Sequence, residues 1–286
     1  MRFLNPKTDF AFKKIFGSAH STDILLSFLN AILELRSPYQ LIDIQILDPY
    51  LAPKIKGMKD TYLDVRAKDE QGRSYVIEMQ VLNVAGFEKR VLYNTCKAYA
   101  GQIQRGEDYR LLTDVIAITI TDFVMFKELP GMINKFKLAA ESGHVFSDEL
   151  ELLFAELPKF TLKESELNST LERWFYFLKF AGDLTLIPKS FQSEPAIVHA
   201  FEIANKASLS PEELDDQERR EMYIQDQRGA IEFALDRGRE EGGYDVRVSI
   251  ATALFDIIDD DTVIAEKTGL SVEQIQILRT EHQDSA

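Results

Sequence analysis

Thr61-Tyr62-Leu63-Asp64-Val65-Arg66-Ala67-Lys68, then Asp69-Glu70-Gln71-Gly72-Arg73, then Ser74-Tyr75-Val76-Ile77-Glu78-Met79-Gln80-Val81-Leu82: the reading of this stretch decides the fold. Two strand-like runs flank five polar, glycine-containing residues, which is a hairpin signal. Side chains alternate between the faces of a strand, so Asp64 shares a face with Arg66, and Glu78 with Gln80. With the hairpin centred on Gln71, residues whose numbers sum to 142 oppose one another, and Asp64 lies across from Glu78. Directly opposed residues have Cβ atoms about 4.5–5.5 Å apart, and like charges at that spacing repel unless a cation lies between them. A slip of one residue would put the two carboxylates on opposite faces.

The second run is apolar on both faces around Glu78, as in a covered central strand, where an unpaired carboxylate is costly. A hard divalent cation resolves both conflicts. Mg²⁺ takes oxygen ligands and is commonly held by one or two carboxylates together with water and substrate phosphates. Asp64 and Glu78 would hold it, with the carbonyl of Met79 as third ligand, and Gln80 beside them would position the attacking water or a phosphate oxygen. On spacing alone, a solvated acidic face or a diagonal Arg66–Glu78 salt bridge is the alternative.

Outward from the hairpin, apolar residues at helical spacing predict a helix over 9–35, interrupted at Gly17 and closed by Pro38. Leu41–Leu47 alternates as a first strand, and a loop with Pro49, Pro53 and Gly57 follows. Phe87–Arg105 reads as a helix ended by Gly106. Val115–Ile120 is an apolar run suited to a buried strand, while Val145–Phe146 and Leu150–Leu157 read as shorter edge strands. From Ser165 the pattern is helical. This order predicts an α/β or α+β sheet domain with a helical C-terminal portion. Residues 206–245 are charge-rich and read as a solvated helix, with a flexible joint over Gly238–Gly243. Residues 246–281 read as three short helices, with Ser271 and Gln274 as a capping box.

Of 286 residues, 45% are hydrophobic and 28% charged, which excludes a wholly disordered chain. The net charge is −14, which argues against generic polyanion binding. Residues 1–150, however, hold 19 basic and 19 acidic residues, and the remaining 14 basic and 28 acidic residues follow, so a nucleic-acid surface belongs in the first half. Cys96 is the single cysteine, so an intramolecular disulfide and an oxidising compartment have no support. Residues 1–7 show no apolar signal core and no run approaches the roughly 18 apolar residues of a membrane span. A soluble, cytoplasmic protein is expected. His20, His144, His199 and His282 are scattered, with no zinc spacing.

Four stretches together resemble the recombination-promoting nucleases, also described as transposases of PD-(D/E)XK type: Thr8-Asp9-Phe10-Ala11-Phe12-Lys13-Lys14-Ile15-Phe16-Gly17, Leu63-Asp64-Val65, Ile77-Glu78-Met79-Gln80, and Arg90-Val91-Leu92-Tyr93 to Tyr99-Ala100-Gly101-Gln102. The resemblance covers roughly residues 5–125, with a later helical region to about 240. It implies a restriction-endonuclease-like mixed sheet flanked by helices, expected over 1–185; the residue pattern beyond it reads as a helical extension and linker over 186–243 and a helix-turn-helix-like tail over 244–286. It also implies Mg²⁺-dependent hydrolysis of DNA phosphodiester bonds, with Mn²⁺ as a substitute ion, linked to recombination or mobile elements. Gln80 stands where the superfamily usually has Lys. Related families use Glu-x-Gln, and Lys59 and Lys97 are candidates for the missing positive charge.

Asp9 matches an acidic residue that the family carries near the site; it also fits a helix N-cap. Lys89, Tyr93 and Lys97, with Arg90 adjacent, lie on one side of the helix after the hairpin, either as phosphate contacts or as a solvated face. Trp174, Phe175, Phe177 and Phe180 read as core. The last helix offers Arg279 against Glu273 and Glu281, so the tail reads as a protein-interaction element. A break in both strands needs two sites, which favours a homodimer. The rival functions are a non-cleaving nucleic-acid-binding protein on the same fold and a protein-interaction scaffold.

Overall fold

The computed structural model describes residues 2–51, 59, 61–255 and 258–284. The expected loop positions Pro53 and Gly57 lie outside these. The chain divides into two compact units, Met1–Ile224 and Gln225–Ala286.

In the first unit, helix α1 (Asp9–Phe16) starts behind Thr8, whose hydroxyl accepts the N–H of Ala11. Thr8 is therefore the cap and Asp9 the first helical residue, a correction to the capping alternative for Asp9. Gly17 ends α1, and α2 (Thr22–Ile32) follows, so the helical reading of 9–35 resolves into two helices. Strands β1 (Ile44–Leu47), β2 (Tyr50–Leu51), β3 (Thr61–Tyr62), β4 (Val65–Asp69) and β5 (Ser74–Gln80) precede α3 (Phe87–Ala100). Then come β6 (Val115–Thr121), β7 (Ile133–Ala139), β8 (Val145–Glu156), α4 (Thr170–Phe180) and α5 (Pro195–Ile203).

The main sheet runs β1-β4-β5-β6-β8-β7. It is parallel along β5–β6–β8 and antiparallel toward both edges. Helices α1, α2, α4 and α5 cover one face, where Phe12, Phe16, Phe28, Trp174, Phe177 and Phe201 join the main core. Helix α3 covers the other, with Ala98 packed among Leu51, Leu63, Val76, Val115 and Ala117. Packing continues past residue 185, since Phe191, Ile197 and Phe201 belong to the main core.

Two expectations are corrected. Residues 145–157 hold one twelve-residue strand, β8, which is internal because β7 covers its far side. β7 itself goes unread in the sequence because Ile-Asn-Lys-Phe-Lys-Leu-Ala is largely exposed and offers few buried residues to reveal it. No described helix is long and apolar enough to cross a membrane.

Helix α6 (Pro211–Leu254) begins in the first unit and ends in the second, and Gly238–Gly243 are helical within it rather than a joint. In the second unit, α7 (Asp261–Thr268) and α8 (Val272–Asp284) meet at Gly269, whose φ of 70° suits a residue without Cβ. Ser271 and Gln274 cap α8 reciprocally. Arg279 donates to Asp261 and to the Ile258 carbonyl and lies over the Phe255 ring, so the cation of the last helix is spent inside the unit.

The hairpin register is the predicted one: Val65 faces Ile77 and Lys68 faces Ser74. Asp69 pins it. Its buried carboxylate accepts the N–H groups of Gln71 (3.0 Å) and Arg73 (2.9 Å), the Arg73 Nε–H (2.7 Å) and the Tyr75 hydroxyl (2.9 Å). Asp69→Ala orphans the buried Tyr75 hydroxyl and frees the turn. At about 1–3 kcal/mol per buried group left unsatisfied, the variant is expected to lose on the order of 3 kcal/mol in urea denaturation followed by circular dichroism. A loss below about 1 kcal/mol would mean that the turn keeps its register without this carboxylate.

Candidate active site

One chain segment changes sheets between β3 and β4. The Leu63 N–H bonds the Pro49 carbonyl, extending the small β2–β3 ribbon, and Val65 opens β4 in the main sheet. Asp64 occupies the bend between them. The β4–β5 ladder ends at Val65–Ile77, and the Met79 N–H beyond it is taken by Asp64 Oδ2 at 2.9 Å. A residue's N–H and C=O leave a strand on the same side, so the Met79 carbonyl lies along the edge that Asp64 caps. Glu78 turns toward α3, where Asn94 Nδ2 donates to its Oε1 at 2.8 Å.

Helix α1 contributes Asp9 and Lys13, one turn apart. Lys13 Nζ is 2.6 Å from Asp9 Oδ1 and 3.4 Å from Asp64 Oδ1. Arg220, from the start of α6, reaches Asp9 Oδ2 at 2.5 Å. Asp9, Lys13, Asp64, Glu78 and Met79 line one cleft of about 860 Å³, shared with Tyr62, Gln80, Lys89, Arg90 and Tyr93. Arg90 enters it already held: its guanidinium donates to Gln80 Oε1 at 2.6 Å and lies over the Phe87 ring at 5.2 Å.

Burial pushes the Asp64 carboxyl up to about 7; the Met79 N–H and the Lys13 charge oppose the rise, and neighbouring Asp9 adds to it. Burial also raises Glu78 against the pull of Asn94, Arg90 and Lys13. Asp9 behaves oppositely: burial acts to raise it, but Lys13, the hydrogen bond with Asp64 and Arg220 together bring it below the usual carboxylate value. Two half-buried carboxyls are thus held above the usual carboxylate value, and the Lys13 ammonium stands 3.4 Å from Asp64 Oδ1. The oxygens of Asp64 and Glu78 and the Met79 carbonyl are of the kind that would suit a hard divalent cation, with water completing the shell. Among the described residues, no three His, Cys, Asp or Glu side chains group at metal-binding spacing.

Most of the residues singled out in the sequence therefore meet in the cleft. Lys97 does not: its buried ammonium donates to the Lys59 carbonyl (2.6 Å) and Thr61 Oγ1 (3.2 Å), which withdraws it from any phosphate. Gln80 is engaged at both ends of its amide, donating to the Leu82 carbonyl (2.7 Å) and accepting from Arg90, so it holds Arg90 in the cleft. The diagonal Arg66–Glu78 pair is not formed among the described residues, where buried Arg66 Nε has no hydrogen-bond partner. The sequence reading missed Lys13, Asn94 and Arg220. The four-residue spacing from Asp9 was a signal for Lys13, and Asn94 follows Arg90 at the same spacing. Arg220 stands 211 positions from Asp9 and carried no signal.

A family model described as PD-(D/E)XK nuclease family transposase matches residues 6–234. No curated protein and no solved structure matches the chain. The matched residues run from just before α1 into α6 and take in every cleft residue described above. With well over half of its length inside that match, the chain belongs to the PD-(D/E)XK nuclease family transposases.

Proposed function

We propose that this protein is a divalent-metal-dependent endonuclease that hydrolyses DNA phosphodiester bonds with little sequence preference, in recombination or the movement of mobile elements. The observation that carries the reading is the convergence of Asp64, Glu78 and the Met79 backbone edge in one cleft, with two half-buried carboxyls both raised above their ordinary values. Mg²⁺, or Mn²⁺ in its place, would supply Lewis-acid polarisation of the phosphate and of the attacking water. The chain's own groups do the rest. Asn94 orients Glu78, and the Met79 N–H orients Asp64. Arg90, fixed by Gln80 and Phe87, presents its remaining donors to a phosphate oxygen, with exposed Lys89 and Tyr93 beside it on α3. Contacts of this kind position a nucleic-acid backbone without reading bases, in keeping with low sequence preference. A homodimer would bring two such clefts to a duplex, and the single cysteine, Cys96, accords with a cytoplasmic setting.

The purified protein is expected to nick supercoiled plasmid with Mg²⁺ or Mn²⁺. Asp64→Ala and Glu78→Ala should each slow nicking by at least ~10²-fold while leaving the circular dichroism spectrum intact. Parent-like cleavage by both variants would remove the site assignment. Salt-dependent DNA binding with no cleavage under any metal would select the rival, a binding protein on the same fold; Gln80 in the place of Lys and its engagement with Arg90 are what favour that rival.

The Asp64 carboxyl binds its proton more tightly in the folded protein, at about 7, than in the unfolded chain, near 3.8. Its contribution to metal-free stability therefore rises as pH falls from about 8 toward 5 and is lost above about 7. Protons and metal compete for the same oxygens, so Mg²⁺ should raise the melting temperature more at pH 8 than at pH 6. Asp64→Asn should abolish both the pH-dependent difference and the Mg²⁺ effect, and should equal or exceed the parent's melting temperature at pH 8 without metal. Scanning fluorimetry of parent and variant at the two pH values reads all three, and an equal Mg²⁺ shift at both would count against Asp64 as a ligand.

A further inference from the structure

Helix α6 meets α1 through three polar side chains on one of its stripes. Glu213, Gln217 and Arg220 stand at helical spacings of four and three. Glu213 Oε1 accepts from Lys14 Nζ at 2.6 Å. Gln217, only 1% exposed, accepts the Thr8 hydroxyl at 3.1 Å and donates to Glu221 at 2.8 Å. Arg220 donates from Nη1 to Asp9 Oδ2 at 2.5 Å and from Nε to Asp216 Oδ2 at 3.0 Å. Thr8 caps α1 and Asp9 is its first residue, so the Gln217 and Arg220 contacts land on the turn that presents Asp9 to the cleft, while Glu213 holds the last turn through Lys14.

A helix that docks for stability alone buries an apolar stripe. Here Leu214 alone of this segment packs on the main core; the fully buried member is an amide and its companions are charged, and such polar contacts add little net stability while restricting side chains to one arrangement. The Arg220 and Asp9 side chains are 40% and 44% exposed, so their pair is weak as a source of stability. Its consequence is positional. Asp9 has one oxygen on Arg220 and the other on Lys13, and Lys13 reaches on to Asp64 Oδ1 at 3.4 Å. Arg220 therefore sets which way Asp9 faces, and Asp9 sets where the Lys13 ammonium stands relative to the proposed ligands.

We propose that Arg220 is a positioning residue of the cleft, and that the start of α6 is a polar clamp that aligns Asp9, and through Lys13 also Asp64, for metal binding. This rests on the metal-site reading above. It also means that the working site spans elements from α1 to α6 and is incomplete if the chain is cut at the end of the sheet domain.

Mn²⁺ binding to the full chain, followed by the electron paramagnetic resonance of free Mn²⁺, tests it alongside thermal unfolding without metal. Arg220→Ala should weaken Mn²⁺ binding by about 10–100-fold, the range for groups that orient a metal's ligands. Arg220→Lys should recover most of that loss. Arg219→Ala removes the same charge one residue away, where the guanidinium pairs with Asp215 at 3.3 Å, and should bind like the parent. The sign is diagnostic, because losing a positive charge beside the site would by Coulomb attraction alone tighten cation binding. In an Asp9→Asn background, Arg220→Ala should add no further loss. Unchanged or tighter binding by folded Arg220→Ala, or full additivity with Asp9→Asn, overturns the clamp. If Arg220→Ala does not fold, Arg220→Gln is read by the same criteria. Asp64→Ala separates the two layers: retained Mn²⁺ binding there removes the metal site and the clamp with it, whereas its loss beside parent-like Arg220→Ala removes the clamp alone.

Discussion

The antiparallel register of β4 against β5 is the constraint on which the cleft depends. Side chains alternate along a strand, so a slip of one residue would send Glu78 into the main core and bring Met79 out beside α3. Asp69 prevents the slip by gathering four donors at the turn, three residues or more from either end of the functional stretch. At the other end the ladder stops at Val65–Ile77 because the chain leaves for the β2–β3 ribbon. That departure frees the Met79 backbone edge and lets the Asp64 carboxylate take the place of a neighbouring strand. The turn fixes the alignment, and the early exit creates the opening.

Charge crowding follows from this alignment. Asp64 and Glu78 are half-buried and raised, while Asp9 is stabilised as an anion by two cations. The compensating charges come from three separate helices: Lys13 from α1, Arg90 from α3 and Arg220 from α6. Each is held by a further contact, so the cleft is arranged before any ligand arrives. A second knot supports α3 from beneath. Fully buried Glu156 accepts the N–H groups of Met125 and Phe126 and the Lys159 ammonium, and this fixes the loop whose Phe123 packs edge-on against Phe87 at 5.9 Å. Phe87 in turn carries Arg90. Cleft geometry and ordinary packing are continuous here: the same ring is core on one side and a platform for the Arg90 guanidinium on the other.

Much of this was legible beforehand where the governing interactions are short in sequence. The hairpin register came from the turn composition and the period of two. The helical segments came from apolar spacing, and the Ser271–Gln274 box was readable at the same level, whereas the α1 cap proved to be Thr8 and not Asp9. Errors arose where burial was not encoded locally. β7 presents mostly exposed residues, so its alternation looked like loop, and without β7 the strand β8 looked like an edge. Gly238–Gly243 looked like a joint because glycine disfavours helix, yet the helix runs through it. Lys97 looked like a phosphate contact because helical spacing shows which side a residue is on, not whether another segment already occupies that side.

The linear chain was therefore enough to establish the α/β class, the hairpin alignment and the two acidic positions of the cleft, because each is set by residues within about twenty positions of one another and by strand geometry that every sequence obeys. It could not reveal which cations are spent and which face the cleft, nor that Arg220 holds Asp9 across 211 positions. Those outcomes depend on which surfaces meet when helices close over the sheet. Charged side chains are long and flexible, and their partners are selected by packing between distant segments rather than by local pattern.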